Sequence, residues 1–213
     1  MVLVILLKYV IFNYYSLNIL VEMACVVRNG GIIVYPTDTV YGLGCDPFNI
    51  HAVERIFRVK RRGDKPLPIL TLSISKALEL GMFNNIALKL AENFWPGPLT
   101  LIVNKKGNLP ERVTLGLKTV GLRVPNHKVA LKLISLCGGY LIGTSANVSG
   151  YPSPTDALDA LRQLDLSVDY YLDMGACPLG VPSTIVDVST SKPIVLREGA
   201  IKKWKIEKFL ENL

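Results

Sequence analysis

The stretch GGIIVYPTDTVYGLG, Gly30 to Gly44, carries the strongest fold signal in the chain. Two glycines stop a preceding helix, Ile32 to Tyr35 form an apolar run of strand length, and Pro36 closes it. A helix ending on glycine, then a buried strand, then a polar turn is the signature of mixed α and β architecture. The turn is Thr37-Asp38-Thr39. Two threonines and an aspartate also suffice simply to satisfy a turn. In the following VYGLG, Gly42 and Gly44 permit tight backbone geometry.

Towards the N-terminus, MVLVILLKYVIFNYYSLNILV resembles a signal peptide or membrane anchor at first sight. Lys8, Asn13, Ser16 and Asn18 interrupt it before it reaches the roughly 20 apolar residues of a span, and no small-residue cleavage site follows. The segment reads as a strand followed by a helix running to Arg28. We therefore divide the chain into residues 1–16, an apolar first strand or start-site extension with Met23 as the alternative start, and residues 17–213, one domain.

Towards the C-terminus, Ile50 to Val59 has the apolar spacing of a helix, and Pro68 to Leu72 reads as a strand. Helices are expected at Ser75–Leu80, Ile86–Phe94, Lys128–Leu136, Thr155–Leu164 with Thr155 as N-cap, and Lys202–Leu210. Strands are expected at Leu99–Val103, along TVGLRVP from Thr119, and at Tyr140–Gly143, Ser183–Val188 and Ile194–Glu198. The alternation is too irregular for a simple doubly wound sheet. The expected class is α+β with layered α/β character: an open, twisted, mixed β-sheet flanked by helices.

Half of the 213 residues are apolar and 19% are charged, which favours a compact fold over disorder. The net charge of +7 favours anionic partners without naming them. Cys25, Cys45, Cys137 and Cys177 are widely separated, form no CxxC, and have only His51 and His127 to complete a metal set. They read as reduced thiols of a cytoplasmic protein with no structural metal.

KRRGDKPL, Lys60 to Leu67, concentrates four cations in a turn forced by Gly63, Asp64 and Pro66. Taken alone it is a basic surface turn or a polyanion site. Thr39, Lys60, Arg62, Arg123, Ser145, Asn147 and Arg197 all fall at expected strand ends or in the loops after them, where ligand crevices form. Thr119, Gly121 and Arg123 share one strand face. There is no GxxxxGK[ST], GxGxxG or GxSxG. With two histidines, each better read as a cap or surface residue, the suited chemistry aligns anions and neutralises their charge, as in phosphoryl or adenylyl transfer.

Six motifs in order, GGIIVYPTDTVYGLG, KRR with KPLPIL, WPGPLT, TVGLRVP, GTSANVSGYPSPT and PSTIVD…VLREGAI, resemble the YrdC-like threonylcarbamoyl-adenylate synthase family over roughly residues 17–201. The resemblance implies the YrdC-like fold with a concave basic face. It also implies an enzyme that makes threonylcarbamoyl-AMP and pyrophosphate from L-threonine, bicarbonate and ATP, for threonylcarbamoyl-adenosine at position 37 of tRNA. By position, Lys60 and Arg62 match the catalytic KxR pair, while Thr39, Arg123 and Thr144 fall with the threonine and bicarbonate. Arg61, Lys65, Thr119, Ser145, Asn147, Ser153, Ser183 and Arg197 fall with ATP. The loop after KRR is one residue shorter than the common pattern, so the register leaves Arg61 and Arg62 as alternatives. Leu70 stands where some longer members have histidine.

The resemblance further implies Mg2+ accompanying ATP, a downstream tRNA-modifying threonylcarbamoyltransferase complex as partner, contact with tRNA or double-stranded RNA as an option, and no membrane partner. Two other readings compete. One is an RNA-binding protein gripping phosphates with the same basic concavity, which predicts strong salt dependence and no need for threonine. The other is carbamoyl transfer to another acceptor, whose known enzymes are larger and carry cysteine clusters missing from this sequence.

Overall fold

A computed structural model describes residues 10–11, 16–61, 63 and 65–213. Of the expected first strand, Val10–Ile11 (β1) is described and pairs with Tyr171 and Leu172; residues 1–9 and 12–15 lie outside the described residues. Helix α1, Leu17–Arg28, starts where the Ser16 hydroxyl accepts the Ile19 N–H. It ends where Gly30, at φ 83°, lets the Gly30 and Gly31 N–H groups turn back to the carbonyls of Val27 and Val26. Its stripe of Leu20, Met23, Ala24 and Val27 is fully buried, each large apolar side chain contributing about 1.5–3 kcal/mol.

The expected single sheet is two mixed sheets. The first orders its strands β1-β10-β2-β3-β9, with β2 Ile33–Tyr35, β3 Gly42–Gly44, β9 Thr144–Ser145 and β10 Tyr170–Leu172. The second orders them β12-β11-β6-β7-β4-β8, with β4 Ile69–Thr71, β6 Leu99–Lys105, β7 Thr119–Arg123, β8 Tyr140–Ile142, β11 Thr184–Asp187 and β12 Ile194–Arg197; β5, Gly81–Met82, pairs with β6. Gly143 is the corner between them. A Cβ there would stand 2.3 Å from Leu70 Cγ, so only glycine lets the chain pass from β8 into β9. Across the corner, the Ile142 N–H donates to the Cys45 carbonyl at 2.9 Å.

Gly42 and Gly44 lie in a strand, not in a turn. Their role is close approach: a Cβ on Gly44 would meet the Ile142 carbonyl oxygen at 2.5 Å and the Tyr35 ring at 2.7 Å. Tyr35 fills that space, fully buried, with its hydroxyl donating to the Ile142 carbonyl.

Helices α2 (Ile50–Val59), α3 (Ile74–Leu80), α4 (Asn85–Phe94), α5 (Glu111–Thr114), α6 (Lys128–Leu136), α7 (Ala157–Leu164) and α8 (Lys203–Glu211) flank the sheets. The N-cap of α7 is Asp156 rather than Thr155, its side chain accepting the Asp159 N–H at 2.8 Å. His127 is the N-cap of α6, as a cap reading of that residue requires. One apolar cluster joins α1 and α6 to β2, β10, Leu70 and Leu141; the larger one lies among the remaining helices and both sheets. No helix among the described residues is long and apolar enough to cross a membrane.

Candidate functional site

Alternation along the strands decides which side chains face away from the core. On β7, Val120 and Leu122 point inward while Thr119, Gly121 and Arg123 line the other face. Thr100 and Ile102 of β6 and Ile185 and Asp187 of β11 continue that face, with Ser183 just before β11. The β2–β3 turn, the start of the basic loop and the Thr144–Gly150 loop stand around it, enclosing a cleft of about 780 Å3. That is within the size range of small-molecule sites.

Arg123 is buried to 5% exposure, and its guanidinium is held on three sides. Nε donates to the Gly97 carbonyl at 2.9 Å, Nη1 to Thr39 Oγ1 at 3.0 Å, and Nη2 forms an ion pair with Asp38. The Thr39 hydroxyl is in turn 3.0 Å from that of Thr37, which donates to the Val40 carbonyl. Burial draws the Arg123 pKa down, while the nearby Asp38 and Tyr35 oppose that shift.

Lys60 follows the last turn of α2, where a cation suits the helix dipole. It is 1% exposed and its ammonium bonds the backbone carbonyls of Ser145 and Asn147, the latter at 2.7 Å. The Lys60 carbonyl accepts the Ser149 N–H at 2.9 Å. The C-terminal end of α2 and the TSAN loop are thereby tied together. Within TSAN, Ser145 Oγ donates to Asn147 Oδ1 at 2.5 Å, and the Asn147 amide donates to the carbonyls of Val148 and Tyr151.

At the other side, Arg197 bonds the Ser183 carbonyl through Nη2 at 2.7 Å and Nε at 3.1 Å. Ser183 Oγ lies 2.9 Å from Thr100 Oγ1. Burial, then the charge of Arg123, draws the Arg197 pKa down, so the two guanidiniums repel across one cleft. Cys177, on the loop behind Thr37, is an inert thiol, its pKa raised by burial to about 11.

Of the residues named from the sequence, Thr39, Lys60, Lys65, Thr119, Arg123, Thr144, Ser145, Asn147, Ser153, Ser183 and Arg197 all line this cleft. Arg61 does not; it is exposed, at φ 48°. Arg62 lies outside the described residues. Sequence reasoning missed Asp38 as the partner of Arg123, Thr100 as the partner of Ser183, and Asp187 on the cleft wall. The face-sharing of Thr100 with Ile102, and of Ser183 with Asp187, was readable from strand alternation once those strands were placed.

Fold and cleft together define an α+β protein with a cleft of small-molecule size lined by cationic and hydroxyl side chains. The family model described as "Telomere recombination", Sua5/YciO/YrdC, matches residues 25–199. The chain belongs to this family. It is 40% identical over 189 residues to a threonylcarbamoyl-AMP synthase of Pyrococcus abyssi, covering 88% of this chain and 56% of that one. It is likewise 40% identical over 189 residues to one of Bacillus subtilis, covering 87% and 55%. The chain thus spans a little over half the length of these relatives. The crystal structure of Pyrococcus abyssi Sua5 complexed with L-threonine superposes with a TM-score of 0.89 at 37% identity, covering 94% of this chain and 59% of that one.

Proposed function

We propose that this protein is a cytoplasmic nucleotidyltransferase, an L-threonylcarbamoyladenylate synthase acting in the threonylcarbamoyl-adenosine modification of tRNA. The observation that carries the reading is the pairing of two anion-binding corners, Arg123–Thr39 and Arg197–Ser183, in one cleft. A reaction that joins an amino-acid carboxylate, a carbamate and a triphosphate needs such an arrangement. The names of the relatives, and L-threonine in the Pyrococcus structure, agree with it.

In the proposed reaction bicarbonate gives up hydroxide to form CO2, the neutral threonine amine attacks its carbon, and the proton released from the amine leaves with that hydroxide as water, giving a carbamate. A carbamate oxygen then attacks the α-phosphorus of ATP, forming the mixed anhydride as the bond to pyrophosphate breaks. Arg123, Thr39 and Thr144 hold threonine and the carbamate. Lys65, Thr119, Ser145, Asn147, Ser153, Ser183 and Arg197 hold the nucleotide, and Lys60 fixes the TSAN loop against it. Mutual repulsion of the anions is the main barrier to assembling them, and prepositioned guanidinium forks lower it without reorganisation. Among the described lining residues Asp187 is the carboxylate that would hold a Mg2+ ion accompanying ATP, and such an ion would screen the triphosphate charge. The product passes to a tRNA-modifying threonylcarbamoyltransferase complex.

The test is incubation with ATP, Mg2+, bicarbonate and L-threonine, with pyrophosphate release followed and threonylcarbamoyl-AMP sought by mass spectrometry. Product that disappears when either threonine or bicarbonate is omitted is the expected result. ATP turnover indifferent to threonine would overturn the reading.

A further inference from the structure

The two guanidiniums of the cleft differ in one respect that bears on what each can hold. Arg197 is fixed by a backbone carbonyl and a hydroxyl, and among the described residues no carboxylate pairs with it, so its charge faces the cleft uncompensated. Arg123 carries Asp38 behind it. Both side chains of that pair are 6% exposed, and Asp38 itself lies off the cleft lining that Arg123 and Thr39 share. The pair is therefore net neutral. Of the five N–H groups of Arg123, three point to Gly97, Thr39 and Asp38, which leaves one on each terminal nitrogen.

We propose that Asp38 determines specificity, making the Arg123 corner selective for a monoanionic carboxylate over phosphate and so keeping the triphosphate out of the amino-acid subsite. The inference rests on the reading that Arg123 receives the carboxylate of threonine. A ligand on the open side of the guanidinium stands roughly 7 Å from the Asp38 carboxylate, two charge-assisted hydrogen bonds away. At the effective dielectric of a partly buried site, that repulsion weakens binding by about tenfold or more for each unit of ligand charge. A carboxylate meets it once and gains two oriented donors. A phosphate dianion meets it twice, and binds instead at the uncompensated Arg197. Among the described residues Asp38 Oδ2 is buried without a hydrogen-bond partner, so no described donor disperses its charge. Geometry alone does not require a charge here, because an asparagine oxygen would accept from Arg123 equally well.

The test is calorimetric titration of L-threonine and of inorganic phosphate, without turnover, into the wild-type protein and the Asp38→Asn variant. The variant keeps the acceptor for Arg123 and loses the charge. Phosphate affinity should rise tenfold or more in D38N, threonine affinity should rise less, and phosphate should become a competitor of threonine. Adding Arg123→Met to D38N should abolish the gained phosphate binding. A phosphate-to-threonine affinity ratio within twofold of the wild type would overturn the proposal, as would gained phosphate binding that survives R123M. If D38N does not fold, the single variants decide: phosphate binding must fall in Arg197→Met and persist in Arg123→Met, and the reverse pattern refutes the proposal. Acetate in place of threonine judges the carboxylate preference by itself. Failure of threonine to bind the wild type would therefore overturn the functional reading separately from the selectivity assigned to Asp38.

Discussion

Replacing Lys60 by methionine separates an anchoring role from a purely chemical one. The buried ammonium bonds two backbone carbonyls of the TSAN loop. Methionine fills much of the same volume but donates nothing. Each carbonyl left buried without a partner costs about 1–3 kcal/mol, and the lost cation after α2 removes about 0.3–1 kcal/mol more. Removing a buried charge returns part of its desolvation penalty, which offsets some of this loss. The net expectation is a loss of about 2–4 kcal/mol. With a urea dependence of about 2 kcal/mol per molar, the unfolding midpoint falls by about 1–2 M. ATP affinity should fall together with stability, since the loop bearing Ser145 and Asn147 loses its fixed place. A lysine whose only work is to touch phosphate predicts the opposite pairing: lost affinity with stability unchanged or raised. A K60M midpoint within 0.3 M of wild type, on the order of the uncertainty of such extrapolations, would refute the anchoring argument.

Two further outcomes follow from the same geometry. A Cβ on Gly121 would meet Pro68 Cβ and Thr100 Cγ2 at 3.5 Å, ordinary contact distances, so Gly121→Val should fold with stability changed by less than about 1 kcal/mol. Its methyl groups would occupy the cleft, and nucleotide affinity measured by equilibrium binding should fall by about tenfold or more, as expected of overpacking. Burial holds the His127 pKa below its usual value, so the unfolded chain binds the proton more readily than the folded one. Stability should therefore rise with pH from the folded pKa up to about 6.5 and be lost as pH falls through that window. His127→Asn, which keeps a capping side chain, should flatten this slope in denaturation curves taken between pH 5 and 7.

The sequence was most legible where one local rule governs an element. The glycine stop after α1, the helical spacing of α2 and the α6 helix Lys128–Leu136 are of this kind. It was least legible where long-range pairing overrides local preference. Thr144–Ser145 forms a strand because it lies against β3, and Tyr170–Leu172 because β2 accepts it in parallel register. The division into two sheets could not be read at Gly143 because its reason, the side chain of Leu70, stands far away in sequence. The cleft followed the same division. Cationic and hydroxyl residues at strand ends were visible as candidates, whereas the partners that orient them came from distant turns: Asp38 for Arg123, Thr100 for Ser183.

These partners explain why a cleft rich in charge is compatible with a stable fold. A buried guanidinium or ammonium without acceptors would be costly, and each one described here has them in the protein itself. The acceptors are mostly backbone carbonyls, at Gly97, Ser145, Asn147 and Ser183, so they neutralise little of the charge. They satisfy hydrogen bonds while leaving Arg197 electropositive towards a ligand. Among the described residues Asp38 is the carboxylate that pairs with one of the two arginines, and it stands behind only Arg123. The cleft is thus graded: carbonyls hold its cations in place, and the difference between its two arginine corners comes from a single carboxylate in the β2–β3 turn.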